Sequence, residues 1–191
     1  KLTLDMIGAK YEMVNGFRSS NDVNHSILQK ETNFSTSSLP SFEGPEMPPL
    51  VKQGIVIPVW YYEMSGPNGT FRTSPVLTEQ KVPTFADVYK QVYGKYPSGP
   101  QWEAFVLIND IASAMLRAAM LPHGSPKAAV DELREAFAAL ATDKDFVREY
   151  ERVIRTKPEL VSHNEGEAIL SKLNGVDPKA VAVLKEVAGM K

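Results

Sequence analysis

Beyond Gly99 the apolar residues recur at spacings of three and four, the period of a helix with one face turned inward. Trp102, Phe105, Ile108, Ala112, Met115 and Ala119 form the first such stripe. Val130, Leu133, Phe137 and Leu140 form the second, and Phe146, Tyr150, Val153 and Ile154 the third. Ile169, Leu170 and Leu173 make another, and Val181, Leu184 and Val187 the last. Start and stop residues accompany the stripes. Ser125-Pro126 offers a capping hydroxyl and then an imino acid at the first helical position. Thr142 or Asp143 restarts a helix, and Asn164 with Glu167 reads as a capping-box variant. Gly175 is a stop, and Asp177-Pro178 opens the final helix.

The first half has a different rhythm. Lys10–Val14 alternates like a short strand, and Asn15-Gly16 is a turn signal. Ser19, Ser20 and Asn21 are all competent caps, and Val23, Ile27 and Leu28 follow at helical spacing, so a helix is expected from about Asn21 to Glu31. Thr32–Ser35 reads as a second short strand, followed by a polar loop through Ser41. Ile55–Trp60 is apolar on both faces, as suits a buried strand, with Pro58 confining its pairing to a short stretch or an edge. Met64–Pro83 reads as a long loop containing an Asn68-Gly69 turn. Thr84 caps a short helix carrying Phe85, Val88, Tyr89 and Val92, which Gly94 ends. The expected fold class is therefore α/β, with strands and helices over residues 1–83 and a mainly helical region over 84–191.

Composition narrows the functional classes. The chain has 191 residues, a net charge of −2, and 43% hydrophobic and 23% charged residues. These are ordinary values for a globular protein, without the strongly basic face of a nucleic-acid binder. It has no cysteine, which excludes disulfides, thiolate zinc sites and cysteine nucleophiles. No apolar run approaches the roughly 20 residues of a transmembrane helix. His25, His123 and His163 lie far apart, without partners at ligand spacing, so no metal site is expected. Neither a nucleophile elbow nor a glycine-rich phosphate loop occurs. No cofactor is implied, and a non-enzymatic role is expected. The sequons at Asn24, Asn33 and Asn68 are no more than chance supplies.

Two segments have ligand-binding character. Phe17, Arg18 and Ser19 lie where a helix starts after an extended segment, and exposed backbone N–H groups with the positive end of the dipole make such a place receptive to anions. Ser35, Thr36 and Ser37 put hydroxyls directly after an expected strand, the end at which ligands collect in open α/β sheets. On the residues alone, a plainly capped helix and a surface turn weigh more than a binding site.

From Ala119 the chain reads Ala-Met-Leu-Pro-His-Gly-Ser-Pro-Lys-Ala-Ala-Val-Asp-Glu-Leu-Arg-Glu-Ala-Phe, and later Asp143-Lys144-Asp145-Phe146. This resembles the tripartite tricarboxylate transporter substrate-binding receptors, in which an apolar-Pro-Pro-Gly-x-Pro turn precedes a Val-x-x-Leu-Arg-x-Ala-Phe helix and a Lys/Thr-Asp-Pro-x-Phe restart. His123 stands for the second proline, and Lys144-Asp145 departs from Asp-Pro. Gly166-Glu167 matches a Gly-Glu of the family. Ile7-Gly8-Ala9, Val14-Asn15-Gly16-Phe17 and Lys30-Glu31-Thr32-Asn33 occupy the places of family segments more loosely, with Ser19 replacing a glycine and Asn33 an aspartate.

The resemblance implies a periplasmic-binding-protein type II-like α/β fold, incomplete in this chain, with residues 1–83 as part of the second lobe and 84–191 returning toward the first. It implies a periplasmic solute-binding protein, or the C-terminal portion of one, that captures a small dicarboxylate or tricarboxylate for membrane transporter subunits. Phe17, Arg18, Ser19, Ser35, Thr36 and Ser37 are its expected ligand contacts, using backbone N–H groups, hydroxyls and water more than a salt bridge. A structural or accessory subunit that no longer binds solute is the alternative. Either way the apolar stripes of the C-terminal helices call for a covering partner, another polypeptide or a second copy. Light scattering is therefore expected to read a mass above that of one chain, and a monodisperse monomer would overturn the expectation.

Overall fold

Side-chain caps decide where several of the described helices begin. Ser19, Ser38, Thr84, Ser162 and Asp177 each accept a backbone N–H of the turn that follows. The computed structural model describes residues 1–44, 47–65, 71–72, 74–115, 117–154, 157–158 and 160–190. Within them run α1 (Leu2–Met6), α2 (Ser20–Leu28), α3 (Leu39–Glu43), α4 (Met47–Lys52), β1 (Met64–Ser65), β2 (Phe71–Arg72) and α5 (Pro75–Glu79). Then come α6 (Phe85–Tyr93), α7 (Pro100–Ala114), α8 (Lys127–Leu140), α9 (Lys144–Ile154), α10 (His163–Ser171), a 3-10 turn (Lys172–Gly175) and α11 (Pro178–Val187). None of the described helices is long and apolar enough to cross a membrane.

The helical second half matches the hydrophobic pattern. Asp143 starts α9 by accepting the N–H groups of Asp145 at 2.8 Å and Phe146 at 2.9 Å. Asp177 caps α11 with Pro178 in its first turn, and Gly94 ends α6 in the left-handed region at φ 73°. Other details differ. The capping box of α10 is Ser162 with Glu165, not Asn164 with Glu167. Ser162 has the extended backbone a cap needs, which puts Asn164 already inside the helix. Ser125 does not sit at the cap of α8, because the helix begins at Lys127 with Pro126 directly before it; the Ser125 hydroxyl instead donates to the Pro122 carbonyl at 2.8 Å. α7 stops at Ala114 rather than continuing to Ala119. Met115 and Met120 beyond it are 36% and 80% exposed, and a helix draws most of its stability from a packed face.

The α/β expectation is not met in the first half. Lys10–Val14, Thr32–Ser35 and Ile55–Trp60 belong to no ladder, and among the described residues the one sheet is the antiparallel pair β1–β2, with Met64 opposite Arg72 and Ser65 opposite Phe71. Strand propensity needs a neighbouring strand to become a sheet, and isolated strands are not stable in water. The alternation survives without pairing: Val56, Pro58 and Trp60 are half-buried while Ile55, Ile57 and Val59 are exposed. The expected loop over Met64–Pro83 contains β1, β2 and α5, and its Asn68-Gly69 turn lies outside the described residues. The polar stretch ending at Ser41 turns helical at Leu39, because Ser38 caps α3 and Pro40 fits its first turn.

Two compact units divide the chain: one of Lys1–Lys10, Val59–Arg134 and Val161–Lys191, the other of Tyr11–Pro58 and Glu135–Leu160. The expected change at residues 83–84 falls inside the first, where segments from both sides of it pack together. Phe85 is the centre of that unit, 1% exposed. Its ring meets Trp60 at 5.7 Å, Phe105 at 5.9 Å, and Tyr89 and Trp102 at 6.3 Å between centroids. Tyr61 pairs in parallel with Thr84: its N–H donates to Pro83 at 3.0 Å, and its carbonyl accepts from Phe85 at 2.9 Å. α7 packs against α11, α10 and α1, with Ala104 and Ala180 fully buried. The predicted face of α7 is turned inward at Trp102 and Phe105 but not beyond them. Ile108 is 45% exposed, while Asn109 donates to the Glu63 carbonyl at 2.8 Å and buried Asp110 accepts from Lys172 at 3.1 Å. In the second unit Met47 is the one buried hydrophobic residue among those described.

Truncating Phe85→Ala should lower unfolding stability by about 3–5 kcal/mol, the range for removing a buried aromatic ring. Urea unfolding followed by tryptophan fluorescence measures it, since Trp60 and Trp102 both border that ring. A change below about 1 kcal/mol would show that the cluster does not organise the unit.

Candidate functional site

The second unit brings the two candidate segments together, and the hydrogen bonding around α2 explains how. Ser19 has extended backbone at φ −151°, ψ 165°, and its Oγ accepts the Asp22 N–H at 3.2 Å. The Asp22 carboxylate reaches back to accept the Arg18 N–H at 3.1 Å. This reciprocal closure fixes Phe17–Ser19 against the first turn of α2.

The far end of α2 is tied down by Ser26, which is 2% exposed. Its hydroxyl donates to the Val23 carbonyl at 2.8 Å and lies 2.7 Å from the Thr32 hydroxyl. With its own proton so used, Ser26 is the acceptor in the second bond. The N–H groups of Glu31 and Thr32 also close onto the Ser26 carbonyl. The chain then doubles back. A nine-residue helix is about 13 Å long, and four near-extended residues cover about the same distance. Thr36 and Ser37 thus arrive level with the start of the helix.

The result is an open hollow of about 210 Å3. Five of the expected contacts, Phe17, Arg18, Ser19, Thr36 and Ser37, line it, and Ser35 does not. Ser35 precedes the point at which the chain draws level with the helix start. Ser20, Val23 and Asn24 complete the lining and escaped the sequence reading. Their signal was present, because Val23 and Asn24 follow Ser19 and Ser20 at a spacing of four and share their face of the helix. Phe17, Arg18, Ser19, Thr36 and Ser37 are exposed, and Val23 and Asn24 are half-buried. The Ser37 hydroxyl donates to the Ser38 carbonyl at 3.2 Å.

The lining suits polar recognition. It holds hydroxyls and a carboxamide, which can donate and accept, one guanidinium, and an apolar side formed by Phe17 and Val23. It holds no nucleophile paired with a base.

A second group of titratable residues lies in the first unit. Burial raises the Glu63 carboxyl above its usual range, and the nearby Asp87 carboxylate pushes it the same way. Thr84 Oγ1 donates to Asp87 at 2.8 Å and accepts the Asp87 N–H at 3.1 Å, so Asp87 serves the cap of α6. Among the described residues no three His, Asp or Glu side chains gather as a metal would require.

No family model, curated protein or solved structure matches this chain.

The sign of the Glu63 effect follows from linkage. A carboxyl whose pKa is raised on folding stabilises the fold while protonated, and that contribution is lost as pH rises through the raised value. At neutral pH the ionised Glu63 is therefore a liability. Glu63→Gln should raise the unfolding midpoint at pH 7 and leave it nearly unchanged at about pH 4 and below, where glutamate is largely protonated in either state. Thermal unfolding at both pH values checks this, and equal shifts at the two would contradict the assignment.

Proposed function

We propose that this chain is an extracytoplasmic solute-binding protein, or part of one, of the tripartite tricarboxylate transporter receptor type. It captures a small organic carboxylate without chemical change and presents it to membrane transporter subunits. Within this reading the chain descends from a periplasmic-binding-protein type II-like fold, works in the periplasm and is not an enzyme. The observation that carries it is the meeting of Phe17–Ser19 with Thr36–Ser37 around one hollow, two stretches singled out separately by their chemistry. The resemblance through Pro122–Pro126 and α8 supports the ancestry. Carboxylate oxygens would accept from the hydroxyls, the Asn24 amide and Arg18.

A second reading, an accessory subunit that binds polypeptide instead of solute, is favoured by one observation. Within the first unit Leu133, Leu170 and Leu173, all on predicted apolar stripes, are 38%, 38% and 48% exposed. Such surfaces are typical of places where another chain packs.

Thermal unfolding in the presence of monocarboxylates, dicarboxylates and tricarboxylates separates the two. A ligand at a hundred times its Kd stabilises by about 2.7 kcal/mol, read as a rise of several degrees in Tm. The receptor reading expects such a rise with at least one acid, and Arg18→Gln should diminish it. A panel without any shift at millimolar concentration overturns solute capture in favour of the accessory role.

A further inference from the structure

Asn15-Gly16 has the sequence of a turn, yet no hydrogen-bonded turn closes there, and the pair lies outside any helix or strand. Among the described residues no backbone N–H from Glu12 to Phe17 has a hydrogen-bond partner. The chain is fastened again only at Arg18, whose N–H Asp22 accepts at 3.1 Å. Packing does not hold the segment either. Met13 and Val14 are 57% and 55% exposed, and Asn15 and Gly16 are exposed as well. Gly16 has φ 101°, and a Cβ placed on it would meet nothing within 4 Å. Its amide nitrogen is thus unbonded, unshielded by a side chain of its own, and next to a carboxamide with room to rotate.

Such a pair carries its own reaction. The Gly16 nitrogen, on losing its proton to hydroxide, attacks the side-chain carbonyl carbon of Asn15. A C–N bond forms, the –NH2 group takes a proton from water and leaves as ammonia, and a five-membered succinimide remains. Water then opens the ring at either of its carbonyl–nitrogen bonds. One opening gives aspartate. The other gives isoaspartate, in which the chain runs through the side-chain carbon.

Asn174-Gly175 is the same dipeptide and is also exposed, so exposure alone does not separate the two. It ends the 3-10 turn Lys172–Gly175, and such a turn engages backbone N–H groups in i→i+3 bonds. Helical backbone also keeps the following nitrogen off the path of attack on the side-chain carbon. The turn is anchored to α7 by Lys172, which donates to the buried Asp110 at 3.1 Å. Ring closure at Asn174 therefore needs local unfolding first, and at Asn15 it does not. We infer that Asn15 is a site of spontaneous modification in the folded chain, converted to isoaspartate and aspartate, and that Asn174 is protected by its turn.

The test is incubation of the full chain at mildly alkaline pH, folded and in urea, followed by peptide mapping with mass spectrometry. Each site is read by the mass gained when –NH2 is exchanged for –OH, and isoaspartate by labelling with an isoaspartyl methyltransferase. Asn68-Gly69, outside the described residues, is scored separately. In the folded chain Asn15 is expected to react at least about tenfold faster than Asn174, a barrier difference of about 1.4 kcal/mol. In urea the two rates should converge. Comparable rates in the folded chain overturn the inference, as does an Asn15 that stays unconverted. A difference that persists undiminished in urea overturns it too, because the flanking residues and not the fold would then set the rates.

Discussion

The first unit is organised by a junction in which backbone and ring packing enforce each other. Tyr61 and Phe85 exchange a hydrogen bond of 2.9 Å in the parallel bridge between Tyr61 and Thr84, and the same Phe85 is the ring on which Trp60, Tyr62, Tyr89, Trp102 and Phe105 converge. The bridge fixes where α6 begins, and Thr84 caps it there. The position of α6 in turn sets the ring that α7 must meet. Through Asn109 and the Glu63 carbonyl, α7 returns to the same extended segment two residues after Tyr61. Edge-to-face and offset aromatic pairs add about 0.5–1.5 kcal/mol each beyond the area they bury, so a cluster of this size outweighs any one cap. No comparable group of buried rings exists among the described residues of the second unit.

Features read correctly from the sequence are those that depend on a few neighbouring residues. Thr84, Gly94 and Asp177-Pro178 act through bonds spanning two to four positions and are where the pattern put them, and Ser19 and Asp143 are each one of the caps it offered. The three expected strands depend on a second segment at a distance, and no local pattern supplies that. Ile55–Trp60 has the alternation of a strand and lacks the neighbour. α7 makes the same point from the other side. Its apolar residues predict an inward stripe through Ile108 and Ala112, yet it turns Asn109 and Asp110 inward because Glu63 and Lys172 wait there, more than forty residues away in either direction.

The hollow was half legible for the same reason. Its helix side follows from a cap and a spacing of four, both local. Its other side depends on Ser26, a serine in the middle of a helix, where a hydroxyl ordinarily competes with the backbone and weakens the element. Here that hydroxyl is buried and joined to Thr32, so the residue that disfavours the helix also fastens the returning chain to it. A sequence reader sees a poor helix former. The structure shows the pin that brings Thr36 and Ser37 back to Arg18.

Asp22 carries the opposite lesson. By sequence it is a good first-turn residue, adding a carboxylate where the helix favours one. By position its carboxylate closes onto the backbone N–H of Arg18, the residue whose guanidinium is the one charged group among those lining the hollow. Helix stability and anion capture therefore compete for one feature, the positive end of α2. A receptor for highly charged acids would leave that end open, whereas α2 closes it with a carboxylate and a serine hydroxyl. What remains for a ligand is a single guanidinium, a set of neutral hydrogen-bonding groups and an apolar wall. Under the solute-capture proposal, affinity there would come from shape and hydrogen bonding around one charge.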